Sequence, residues 1–394
     1  MSHGGCSTSY NLSTEYLGSS YEVLTWPPGS QGDGKASFSI VASASAWTSV
    51  RVRFPPASDG CDIEFGAVRL DCGQTLDFTL LSAETATFTS TTTDLSGTLV
   101  DATPPVAVYA SNSHVTVGSG NISDSTSEQL FPLSAWGSEF VVAPIPDNSQ
   151  SGYSIRLSCG SAVNVSVDVA GVIRDLTAQR PLTVDFPDNR PAYVSVVDGG
   201  GTPIQLVQYV RGATVTTDSG APAALVIPAV QRFTDVYHFT TGFADMQYVS
   251  VVARQSDISG LRLNGYTLGM SRLTWSTVDT RPDWVVGAFI LPSAGSYTLE
   301  HIAQQPFGAY QYGYHRGRCA FAHPAGASLP IQVIHSFNSN NDNNNNNRII
   351  EFLRRHTVTT SQHNSSILFA ICNVDLLTTF VLKGFAANLL TITR

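Results

Sequence analysis

Charged side chains are scarce in this 394-residue chain: Asp, Glu, Lys and Arg make up 13% of it, with a net charge of −9. The arginines are scattered (Arg51, Arg53, Arg156, Arg232, Arg254) and form no basic stripe. Nucleic acid and anionic membrane surfaces, which are held by neutralising phosphates, are therefore excluded as partners. Cysteines number six, too few for a disulfide scaffold, and none stands in a C-x-x-C pair, which argues against zinc ribbons and thioredoxin-like redox chemistry. No G-x-S-x-G, H-E-x-x-H or Walker loop occurs, and Gly118-Ser119-Gly120 lacks the third glycine and following helix of a dinucleotide fingerprint. No enzyme and no cofactor is expected. Long apolar runs are missing too. The stretch from Ile367 to Leu382 is short for a membrane span and is interrupted by Asn373 and Asp375. The opening, MSHGGCSTSYNLSTEY, has no apolar centre and is not a signal peptide, so the expectation is an extracellular protein whose true N-terminus is missing.

What is abundant is Ser, Thr, Gly and Val, the composition of β-rich extracellular modules. Period-two alternation recurs in SVRVRF from Ser49, AVNVSVDVAG from Ala162, AYVSVVDGG from Ala192 and SYTLEHI from Ser296. Each predicts a half-buried antiparallel strand. Before residue 330 no sustained helical period appears. Three runs, TPPVAVYASN, TPIQLVQYV and QPFGAYQYGY, place Pro105, Pro203 and Pro306 about 100 residues apart, the size of a small β-domain. Proline suits the first position of a strand, where a missing N–H does little harm. A second recurrence follows the first two runs: Pro132, Trp136, Phe140, then Pro228, Phe233, Phe239. It reads as a link in which a large ring plugs the seam before the next module. The predicted fold is all-β, three tandem antiparallel sandwich-like repeats at 20–125, 138–225 and 236–328, after an N-terminal segment 1–19. A β-propeller with two blades per repeat is the alternative. Residues 338–347 are an Asn-rich linker predicted to be disordered, and 348–394 an irregular, loosely helical tail.

Few residues suggest chemistry. Tyr310, Tyr312 and Tyr314 alternate along one strand, so their rings share a face, either a recognition platform or a packed core. Cys61 and Cys72 stand within reach of a hairpin-closing bridge; the other reading is two buried thiols. Sequons at Asn11, Asn121, Asn164 and Asn364 are candidate glycosylation sites. His315 and His323 share no defensible metal spacing, and Asp59 and Asp62 are turn carboxylates with calcium as the rarer alternative.

The strings FGAYQYGYHRGRCAFAHPAG (Phe307 to Gly326), EQLFPLSAWGSEFVV and PPVAVYASN resemble the N-terminal domain of the IgGFc-binding protein family, over roughly Phe38 to Gly326. The resemblance implies secreted, mucus-associated or adhesive proteins that combine this domain with von Willebrand factor D, trypsin-inhibitor-like or EGF-like modules, none of which appears here. Relatives commonly carry cysteines just after the segment that here reads YASNSHVTVGSGNIS, so a bridge there is lost. The expected function is a non-catalytic extracellular binding or adhesion module for glycoproteins or mucins. A carbohydrate-active enzyme would need paired carboxylates in a cleft; a structural spacer would need no ligand at all.

Overall fold

The computed structural model describes residues 6–29, 34–43, 47–56, 60–118, 122–147, 152–160, 164–197, 201–212, 220–241, 244–268, 274–315, 319–331 and 368–372. The chain is all-β: apart from short 3-10 segments at Thr14–Tyr16, Leu133–Ala135, Val230–Arg232 and Gln255–Gly260, its regular structure among the described residues is antiparallel strand.

One strand order recurs along the chain. Between residues 139 and 226 one layer runs Glu139–Val142, Ala192–Val196, Val165–Val169, Val172–Leu176, and the other Leu182–Phe186, Tyr153–Ser158, Gln205–Val210, Ala223–Val226. Between 236 and 324 the layers are Val236–Thr241, Gly295–His301, Leu261–Leu263, Tyr266–Thr267, and Thr274–Val278, Arg281–Ile290, Met246–Arg254, Gly308–His315, Cys319–Pro324. Between 18 and 129 the same neighbours join into one nine-stranded sheet, because Leu99–Val115 runs through both layers. Its first half pairs with Gly18–Glu22 and Thr48–Arg53, its second with Ala36–Ala42 and Asp124–Gln129.

The repeated prolines mark equivalent places. Pro105, Pro203 and Pro306 directly precede Val106, Ile204 and Phe307, which pair with Gly18, Gly137 and Thr234 at the start of each set's first strand. In the first set Tyr21 Oη accepts the Gly18 N–H at 2.7 Å and donates to the Val106 carbonyl at 2.6 Å. In the third, Tyr237 Oη does the same between Thr234 and Phe307. Side chains from both layers meet in a shared core, as in a sandwich and unlike the radial blades of the propeller alternative.

Alternation holds where one face meets water. Thr48–Arg53 is buried and exposed in turn. It fails in Tyr153–Ser158, Gln205–Val210 and Ala223–Val226, which are buried at every position. Those strands are covered twice, by their own partner layer and by the preceding set. Val207, Tyr209, Ala224 and Val226 pack into the first core, and Tyr310, Tyr312, Tyr314 and Ala322 into the second. The link rings close the core behind them, Trp136 the first and Phe233 the second. The last strands of the three sets, Asp124–Gln129, Ala223–Val226 and Cys319–Pro324, pack against one another, and Cys6–Tyr10 packs against the first and third of them. The tail departs from its reading as loosely helical in one piece: Leu368–Cys372 is a strand paired with Cys6–Tyr10, placing Cys6 opposite Cys372. The Asn-rich 338–347, and 348–367 with 373–394, lie outside the described residues.

Candidate functional site

The tyrosine strand is not a surface. Tyr310, Tyr312 and Tyr314 do point one way, but that side faces the second set, and all three rings are buried. Tyr310 Oη donates to the Val141 carbonyl at 3.0 Å, and Tyr312 Oη to Gln208 Oε1 at 2.8 Å. Gln208 in turn donates to the Ala143 carbonyl at 2.7 Å. The platform reading of these residues is therefore corrected: the rings are spent on joining two strand sets. The alternation was visible in the sequence; the neighbour that covers it was not. Arg281 completes this contact, donating to Tyr193 Oη at 2.8 Å with its guanidinium 4.4 Å from that ring's centroid.

The contact between the first and second sets is polar at its centre, and no sequence signal singled it out. Arg156, its side chain 4% exposed, donates to the Thr25 carbonyl, to Ser96 Oγ at 3.1 Å and to Asp94 Oδ2 at 2.7 Å. Burial alone would raise the Asp94 carboxyl; the Arg156 charge, with hydrogen bonds from Arg156 and Ser96, holds it below the ordinary range. Trp26 lies under the guanidinium at 5.8 Å and stacks at a tilt on Tyr209 at 4.9 Å. Gly97 has φ +85°, and a Cβ there would meet the Gln179 carbonyl oxygen at 2.2 Å, so only glycine allows the two sets to approach this closely.

The remaining candidates divide by burial. Cys61 and Cys72 are joined by a disulfide, closing the hairpin Ile63–Phe65 and Val68–Leu70 at the sheet edge. Replacing both cysteines by serine is expected to cost about 2–3 kcal/mol, from the entropy of an opened loop of this length. Urea denaturation with and without reductant checks it; a wild-type curve that ignores reductant would count against the bridge. Asp62 is taken by Arg69 at 2.8 Å, leaving no open oxygen pair for calcium; Asp59 lies outside the described residues. His323 is buried, stacked on Phe321 at 5.7 Å, and its pKa is lowered to about 4 by desolvation. The side chain of His315 is outside the description. Among the described residues no three His, Cys, Asp or Glu side chains come together as a metal site.

Asn164 is exposed at the start of a strand, and Asn11 is half-buried with its Oδ1 accepting from Tyr109 Oη at 2.9 Å. Asn121 and Asn364 lie outside the described residues. Among the described residues, one narrow crevice is lined by Phe131, Trp136, Phe140, Leu206 and Ala229, and another by Ser125, Ser127, Ala224 and Phe321. No helix among the described residues is long and apolar enough to cross a membrane. The largest exposed apolar side chains include Tyr266 (79% exposed), beside the Asn264-Gly265 turn, and the pair Trp47 (66%) and Leu81 (43%). The latter two flank the Thr48–Leu80 register pair and so share one end of the first set.

Two comparisons complete the description. The profile of a family described as IgGFc binding protein matches residues 7–313. A human protein named IgGFc-binding protein is 31% identical over 269 residues, covering 66% of this chain but only 5% of that protein's length.

Proposed function

The chain belongs to the IgGFc-binding protein family, and on that premise we propose that it is an extracellular, non-catalytic module that holds glycoproteins, mucus components among them. The family match over residues 7–313 carries the reading. Because the tyrosine face is consumed internally, ligand contacts fall to exposed features, and the Trp47–Leu81 end is the best of these. An exposed tryptophan beside an aliphatic side chain supplies rigid apolar area of the kind that dominates binding hot spots.

The full chain, produced in an oxidising host, should bind immobilised mucin glycoprotein or IgG Fc saturably. Trp47→Ala should weaken that binding by about 10-fold or more while leaving the melting temperature in place. A folded sample that binds no glycoprotein would overturn the reading. Unchanged binding by a longer parent protein lacking this region would assign it a spacer role instead.

A further inference from the structure

Two carboxyls lie in the contact between the first and second strand sets without a cation of their own among the described residues. Glu22, the last residue of Gly18–Glu22, is 0% exposed. Its Oε2 accepts the Gly160 N–H at 2.7 Å, and its Oε1 has no partner. Gln205, on the facing strand, donates from Nε2 to the Glu22 carbonyl and to Ser158 Oγ, both at 3.4 Å, while its own Oε1 is also unpartnered. The Ser158 hydroxyl also bonds the Glu22 carboxyl, but Glu22 Oε1 and Gln205 Oε1 complete no hydrogen bond of their own, and buried acceptors left unpaired are costly. Glu128, on the closing strand Asp124–Gln129, is equally buried. The backbone amides of Tyr10 and Val226 are the donors that face it.

We propose that this contact is proton-linked: Glu22, and with it Glu128, sits there as a neutral acid, and ionisation loosens the first set from the second. The Gly160 N–H and the Ser158 hydroxyl leave Glu22 Oε1 and Gln205 Oε1 as two unpaired acceptors, and a proton on Glu22 supplies a donor there. Other titratable groups do not replace that proton. Beside Glu22 stands the Cys159 thiol, and the Arg156 guanidinium in the same contact is already engaged by Asp94, Ser96 and Thr25. Around Glu128 stand the phenols of Tyr109 and Tyr209 and the backbone of Tyr10. Loosening would uncover Val207, Tyr209, Ala224 and Val226, the side chains that the second set inserts into the first core.

Burial raises the Glu22 carboxyl from 4.5 to about 7, against the lowering effect of the Gly160 and Ser158 hydrogen bonds. Glu128 is raised well above its ordinary value for the same reason. An acid raised on folding stabilises fully below its unfolded value, and that contribution is lost as pH rises through the folded one. For Glu22 the window runs from 4.5 to about 7 and is worth about 300-fold in the folding equilibrium constant. His323, lowered to about 4, works in the opposite direction below its ordinary 6.5, so the readout is the difference between wild type and Glu22→Gln, in which His323 cancels.

Urea unfolding of the full chain from pH 5 to 8.5 should show the variant gaining on wild type by about 70-fold as pH rises. Parallel curves would overturn the proposal. A second test needs no variant: infrared spectra of wild type in D2O should show a protonated-carboxyl band at pH 6 that disappears on unfolding. A native spectrum without that band at pH 6 would equally end the idea. Neither test depends on ligand binding, so failure here leaves the proposed function untouched.

Discussion

Replacing Arg156 by methionine is expected to destabilise the chain by about 3 kcal/mol, among the largest effects of any single side chain. Methionine keeps much of the aliphatic stem, while the guanidinium that lies over Trp26 and satisfies Asp94, Ser96 and the Thr25 carbonyl is lost. Removing one member of a buried ion pair typically costs about 3–5 kcal/mol, because the partner is left desolvated. Asp94 keeps some solvent contact, with 28% of its side chain exposed, and hydrogen bonds from Ser96 and Thr25, which places the loss at the lower end. Asp94→Asn should cost less, and the double variant less than the sum, since both substitutions remove the same interaction. Acid provides a check of sign. The lowered Asp94 contributes stability above its ordinary 3.8 that is lost as pH falls through its folded value, and Arg156→Met should abolish that contribution. Urea denaturation measures all three variants. A change below about 0.5 kcal/mol for Arg156→Met would show that this contact is not holding the two sets together.

Phe88→Ala should cost about 3–5 kcal/mol, the usual range for emptying a buried ring site. Phe88 is fully buried at the centre of an aromatic cluster. It stacks on Phe38 at 4.8 Å and on Phe65 at 4.6 Å, and meets Phe54 edge-on at 5.5 Å. Phe38 and Phe65 come from separate strands, Phe54 follows a third, and Phe65 belongs to the disulfide-closed hairpin, so no single one can move in to fill the space. Phe88→Leu should cost about 1–1.5 kcal/mol, because most of the volume is kept. Thermal and urea unfolding distinguish the two. Equal losses for alanine and leucine would mean that ring geometry, and not filled volume, sets the stability of the first core.

The legibility of this chain follows the range of the interaction concerned. The Cys61–Cys72 pair is local, separated by 11 residues across one hairpin, and its spacing alone put it within reach. The recurring prolines stand at equivalent pairing points of each strand set; Pro203 and Pro306 come just before the strands Gln205–Val210 and Gly308–His315, as expected, whereas Pro105 lies inside Leu99–Val115 because that strand continues through both layers. Arg156 gave no signal. Its partners Thr25, Ser96 and Asp94 lie 131, 60 and 62 residues away, on another strand set. The same distance hid Glu22, whose partner Gly160 is 138 residues off.

Composition and period-two alternation were enough to make this an antiparallel β-protein, since both reflect one strand with a wet face and a dry one. Only the tertiary structure decided which faces are dry on both sides. Tyr310, Tyr312 and Tyr314, and the polar Ser154, Arg156 and Ser158, are buried because a second strand set lies over them. Whether an alternating strand meets solvent or another layer depends on a partner far away in sequence, and the strand's own pattern carries no record of it.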